Sequence, residues 1–131
     1  MSQQNVQAFT QVIEAVNRGE VEGVLHIADD DIVMLAARSP VEGPYRGHDG
    51  LRAWFADNVE SFEVFRVDIR ELRDLGDQVL AIGTMHIRGR GSGVETDITT
   101  AGIASFAQGK LTKWEEFRER ALALKAVGLS D

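Results

Sequence analysis

From Phe62 onward the chain reads as four apolar-alternating segments, at about 63–74, 78–89, 94–107 and 110–118, separated only by Gly76-Asp77, Gly89 to Gly93 and Gln108-Gly109. Breaks this short, each carrying glycine, are turn signals at hairpin spacing. An antiparallel meander is therefore expected, and everything before it must pack against that sheet. Because side chains alternate along a strand, a slip of one residue exchanges the two faces. One register keeps the apolar residues together. It sets Phe65, Val67 and Ile69 opposite Ile87, Met85 and Gly83, then Met85, Gly83 and Ala81 opposite Ile98, Thr100 and Gly102. In the last hairpin it sets Phe106, Gly102 and Thr100 opposite Leu111, Glu115 and Phe117. One face then holds Phe65, Val67, Ile69, Met85, Ile87, Ile98 and Phe117, with Gly83, Gly102 and Ala104 leaving space among them. The other carries Arg66, Asp68, His86, Arg88, Glu95, Asp97 and Glu116, together with Ile103 and Trp114.

The first half has helical period. Val6, Phe9, Ile13 and Val16 form one stripe that ends at Gly19, and Val21, Val24, Leu25 and Ala28 form a second, shorter one. Ile32 to Leu35 is a continuous apolar run and reads as a buried strand. Ser39 to Gly47 holds both prolines and reads as a loop, after which Leu51, Trp54, Phe55 and Val59 mark a third helix. Arg120 to Val127 reads as a last helix, with Gly128 and Leu129 placed as its glycine cap and hydrophobic partner. The order predicts a curved sheet wrapped around helices, an architecture that leaves room for a small molecule.

Composition narrows the function. At 131 residues the chain suits one domain over 1–131, and 44% hydrophobic content supports an ordinary core. A net charge of −7 argues against a nucleic-acid surface, since phosphate contacts need clustered Lys and Arg. No apolar run approaches membrane-spanning length, so no membrane partner is expected. The absence of cysteine and the polar Met1–Asn5 start point to a cytoplasmic protein without disulfides.

Several short motifs in this order resemble the nuclear transport factor two-like superfamily, and within it the SnoaL-like proteins. They are Gly19 to Gly23, Ala28-Asp29-Asp30, Tyr45-Arg46-Gly47, Gly91-Ser92-Gly93, Gly109-Lys110-Leu111 and Arg120 to Leu129. The resemblance implies a cystatin-like conical α+β roll, with N-terminal helices packed on a strongly curved, mainly antiparallel sheet. It further implies a pocket on the concave face and frequent dimerisation through the other. It implies no single reaction, because function resides in the site and not the fold. The chain departs from the enzymes of this fold where they carry their catalytic groups. The position of the isomerase base falls near Leu35 and that of its tyrosine near Val12, both apolar. The penultimate strand reads Thr100-Ala101-Gly102-Ile103-Ala104 where related enzymes place an acid, and no Asp-Arg-Asp set assembles on the core face.

Glu115 is the candidate catalytic residue. In the register above it faces the core opposite Gly102, where desolvation raises a carboxyl's pKa and suits it to general acid–base work. The competing reading is a slip of the last strand that turns Glu116 inward. Tyr45, Trp54, Met85, Thr96, Thr100 and Phe117 are candidate ligand contacts, although Trp54, in stripe with Leu51 and Phe55, fits plain core packing better and the threonines also suit ordinary strand positions. His86 and Asp97 pair across strands on the polar face; with Ile103 and Trp114 they form the expected homodimer surface. Gly89 to Gly93 precedes a strand and not a helix, so it is a hairpin loop and not a phosphate cradle. The histidines lack metal-ligand spacing, and Asp29-Asp30-Asp31 lacks the spacing of a calcium loop, so neither metal nor cofactor is expected. The sequence thus points to a binder of a small apolar molecule, with isomerase, cyclase or hydrolase chemistry as one outcome. The alternative is a non-catalytic dimeric module whose cone is partly filled.

Overall fold

The computed structural model describes residues 2–37 and 43–130. In chain order the elements are α1 (Ser2–Arg18), α2 (Val21–Ile27), β1 (Ala28–Leu35), β2 (Tyr45–Arg46), α3 (Gly47–Ser61), β3 (Phe62–Asp74), β4 (Gln78–Gly89), β5 (Glu95–Ala107), β6 (Lys110–Phe117) and α4 (Arg120–Ala126). The expected loop over Ser39–Gly47 lies partly outside the described residues. Its described end is a correction: Tyr45 and Arg46 pair with Met34 and Val33 as a short edge strand.

Six strands form one sheet in the order β2-β1-β6-β5-β4-β3, antiparallel throughout except for the parallel pair β1 and β6. With its helices it is the α+β roll the sequence led us to expect. α1 ends as its glycine requires. Gly19 takes φ 71°, and the Glu20 amide donates back to the Ala15 carbonyl at 2.9 Å. The same device closes α4, where Gly128 has φ 77° and the Leu129 amide donates to the Leu124 carbonyl at 2.8 Å.

Two apolar clusters sit on the two faces of the sheet. On the concave face, Phe9, Val12, Ile13 and Val16 of α1 meet Ile32, Met34, Leu51, Trp54, Val79, Ala81, Ala104, Leu111 and Trp114. On the convex face, Ala123 and Leu124 of α4 cover Leu80, Ile82, Ala101 and Ile103, with Phe117 packed beside them. Arg120 anchors that helix, its guanidinium donating to Glu71 Oε1 at 2.5 Å while Arg73 holds Oε2 at the same distance.

The predicted register of β3 on β4 and of β4 on β5 is the one observed: Phe65 faces Ile87, Val67 faces Met85, Met85 faces Ile98 and Gly83 faces Thr100. The last hairpin differs. Phe106 pairs with Leu111 as expected, but Ser105 then pairs with Lys113, so Thr112 is an extra residue in β6. Its hydroxyl donates to the Ser105 carbonyl at 3.1 Å, which holds this β-bulge in place. Beyond the bulge every pair is displaced by one: Ile103 faces Glu115, Gly102 faces Glu116 and Ala101 faces Phe117.

Candidate functional site

The bulge at Thr112 decides which side chains of β6 reach the concave face. Leu111 and Trp114 are both buried there, three residues apart, a spacing that unbroken alternation forbids. Trp114 sits edge-on to Phe9 and Trp54, with ring centroids 5.7 and 5.2 Å away. Glu116 follows it on the same face. Trp54 of α3 extends the aromatic layer toward Phe65 of β3, at 6.0 Å, and Phe62 lies 5.8 Å beyond.

Between this layer and the sheet lies a cavity of about 250 Å³. Its apolar wall is Trp54, Phe62, Phe65, Met85, Ile87 and Ile98, and its polar groups come from Asn58, Thr99, Thr100, Glu116 and Arg118. Beneath it is a deeper chamber of about 30 Å³, bounded by Phe9, Ile13, Gly83, Gly102 and Trp114. The two share Trp54, Phe65, Thr100 and Glu116 in their walls. Gly83 and Gly102 form the floor of the deeper chamber. Among the described residues, Glu116 is the carboxylate common to both.

The predicted site residues separate into three groups. Trp54, Met85 and Thr100 line the cavity. Thr96 pairs with Ile87 but is exposed near the open end of β5, away from the chambers. Tyr45 is elsewhere: its hydroxyl donates to Asp57 Oδ2 at 2.7 Å and joins β2 to α3. Phe117 is on the convex side with the α4 cluster and reaches only the cavity rim. Glu115 is the main correction. It stands opposite Ile103 on the convex face, 3.9 Å from Lys113 Nζ, and lines a surface depression with Glu119 and Leu122. The one-residue slip weighed in the sequence is realised, and Glu116 takes the inward place. Asn58 and Arg118 were missed altogether. The 111/114 spacing of large apolar residues was the signal that would have placed the bulge.

The expected dimer surface is altered for the same reason. Trp114 is in the concave core and Ile103 is beneath α4, so neither is available on the convex side. His86 and Asp97 remain there as predicted, in a chain of charges. The two nitrogens of His86 bond Asp97 Oδ1 at 2.7 Å and Asp68 Oδ2 at 2.8 Å, and Arg66 grips Asp68 with two nitrogens. Asp97 and then Asp68 favour the imidazolium, so the His86 pKa is raised; Arg66 and then His86 hold the Asp68 carboxyl below its ordinary range. His48 ties α3 to the start of β1, its Nε2 lying 3.0 Å from the Ala28 carbonyl. The Gly89–Gly93 turn is a hairpin loop, closed by the Gly93 amide on the Gly89 carbonyl at 3.0 Å. Among the described residues no group of three His, Asp or Glu side chains is arranged to hold a metal, and no helix is long and apolar enough to cross a membrane.

Comparison with known proteins places these features in a family. The model of the SnoaL-like domain matches residues 9–114. No curated protein matches the chain. Among solved structures, TerC co-crystallised with polyporic acid superposes with a TM-score of 0.80 at 20% identity, over 88% of this chain and 92% of that one. An NTF2-like protein of unknown function from Burkholderia pseudomallei K96243 gives 0.80 at 20% identity, over 95% and 98%. A protein with a ketosteroid isomerase-like fold from Catenulispora acidiphila DSM 44928, in complex with trimethylamine, gives 0.76 at 15% identity, over 93% and 92%.

Proposed function

The chain belongs to the SnoaL-like domain family of the NTF2-like superfamily, and from that premise we propose that its concave cavity binds a small, mainly apolar organic molecule, with Glu116 as the acid–base group that acts on it. The observation that carries this reading is a single carboxylate at the junction of two apolar chambers. An otherwise apolar cavity with a few convergent polar groups is the usual form of a small-molecule site. At about 250 Å³ the space lies just below the common range for such sites, which favours a compact ligand. Similar folds hold polyporic acid in one structure and trimethylamine in another, which supports occupancy of this kind of cavity by small organic molecules.

Glu116 takes the role first given to Glu115, because it is the carboxylate that borders the cavity. A carboxylate beside a bound apolar substrate can take a proton from one atom and return it to another, as isomerisation, cyclisation and hydrolysis each require. Thr100 and Asn58 orient polar atoms of the ligand, and Trp54, Met85 and Phe65 hold its body. The same reading keeps the His86–Asp97 face as the surface through which two copies meet. Its charges are already paired within the protomer, so burial leaves no lone charge behind. The test is ligand capture by native mass spectrometry, followed by turnover of the captured molecule in wild type, Glu116→Gln and Glu115→Gln. Loss of turnover in the first variant alone is the expected result. Equal activity in all three removes the acid–base role.

A further inference from the structure

Trp114 is 3% exposed, yet its indole N–H has no hydrogen-bond acceptor among the described residues. An indole nitrogen is a donor only, and buried tryptophans ordinarily find a partner for it. The exception therefore calls for an explanation. Its position supplies one. Nε1 is 3.4 Å from where a Cβ on Gly102 would stand, so the N–H occupies the space that this glycine leaves open at the floor of the deeper chamber. That chamber, about 30 Å³, exceeds the roughly 10–15 Å³ that one water-sized group requires. Apart from the indoles of Trp114 and Trp54, its polar side chains are Thr100 and Glu116; of the two indole nitrogens, it is that of Trp114 that stands at the Gly102 gap.

We propose that Trp114 Nε1–H and the gap at Gly102 form a subsite for one hydrogen-bond-accepting oxygen of the ligand, a carbonyl on an otherwise apolar body. This rests on the reading of the larger cavity as the ligand site. The body lies among Trp54, Phe65 and Met85, and its oxygen enters the lower chamber to meet the indole. A hydrocarbon of the same shape leaves the donor buried and unmet, so the site discriminates by function and not by size.

The experiment uses the full chain with acetophenone and α-methylstyrene, which differ only in C=O against C=CH2. The protein has two tryptophans, so two indole N–H signals are followed in a ¹⁵N–¹H spectrum during each titration. Both compounds are expected to bind, the ketone about fivefold more tightly, the effect of one net hydrogen bond. Only the ketone is expected to move the Trp114 indole proton downfield. Trp114→Phe should abolish the preference while still binding α-methylstyrene. Gly102→Ala, which keeps the tryptophan and covers its N–H, should do the same and guards against misfolding of the first variant. Equal binding of the two compounds, or an indole signal unmoved by bound ketone, overturns the subsite. That outcome means the proton is held by a fixed water or by the Phe9 ring. Binding of neither compound overturns the cavity reading itself, and the subsite with it.

Discussion

Two glycines on the concave floor should answer the same substitution in opposite ways. Gly83 lies opposite Ile69 in β3, immediately before the irregularity between Ile69 and Glu71. A Cβ there would stand 2.2 Å from the Asp68 carbonyl oxygen, with Asp68 C at 3.0 Å and Ile69 Cα at 3.1 Å, all of them backbone. Relief requires β3 to move by about 0.8 Å, from 2.2 to 3.0 Å, at a strand paired with β4 on both sides of this point. Forced repacking of this kind costs about 2–3 kcal/mol. The smaller unfolded-state entropy of alanine returns about 0.4–1 kcal/mol. Gly83→Ala is therefore expected to lose about 1.5 kcal/mol, which lowers the urea midpoint by roughly 0.7 M at a slope near 2 kcal/mol/M. Gly102 is different. Its added Cβ would meet Trp114 Nε1 at 3.4 Å, with Glu115 O and Phe9 Cζ at 3.8 Å, which are ordinary contacts. Gly102→Ala should lie between neutral and about 1 kcal/mol more stable. The assay is equilibrium urea unfolding of both variants with the slope checked for constancy. A Gly83→Ala protein as stable as wild type would refute the reasoning about the close approach of β3 and β4.

Other expectations follow from the same geometry. Glu116→Gln should lower turnover of a captured substrate by about 10²–10⁴-fold, with Glu115→Gln near wild type, as read from kcat. His86, held as an imidazolium by Asp97 and Asp68, contributes stability that is complete below its unfolded value near pH 6.5 and lost as pH rises through its raised folded value. Asp68 works in the other direction: its contribution is present above the unfolded value near pH 3.9 and lost as pH falls through its depressed folded value. Urea midpoints of wild type should therefore fall on the alkaline side relative to His86→Gln; parallel profiles for the two would remove His86 as the cause. Light scattering should report a dimer that Asp97→Arg weakens, and a monomer in wild type at tens of micromolar (a concentration of order 10⁻⁵ M, set against interface affinities) would rule out the convex face as a pairing surface.

Much of the fold was legible because the signals were local. Helix stripes, glycine stops at Gly19 and Gly128, and hairpin turns each reside within a few residues of sequence. The registers of β3 on β4 and β4 on β5 were legible too, since a slip of one residue would divide Phe65, Val67, Met85 and Ile98 between the two faces. Met85 and Thr100 followed from that alignment into the cavity, and Trp54 from its place on the helix that follows the Pro/Gly loop. Tyr45 did not, because the contact that claims its hydroxyl comes from Asp57, on a different element.

The sequence by itself determined the order of elements, apart from the short edge strand at Tyr45–Arg46, and the apolar face of the meander. Tertiary structure decided which of two adjacent glutamates enters the cavity. Glu115 and Glu116 are chemically the same, and alternation alone assigns the first of them to the core. A single extra residue at Thr112 reverses the assignment for the rest of β6. The gain that fixes the bulge is the burial of the Trp114 ring against Phe9 and Trp54, which belong to helices more than fifty residues away in sequence. The spacing of Leu111 and Trp114 is the trace the bulge leaves in the sequence, but strict alternation points the other way, and it is the packing of Trp114 that chooses the carboxylate.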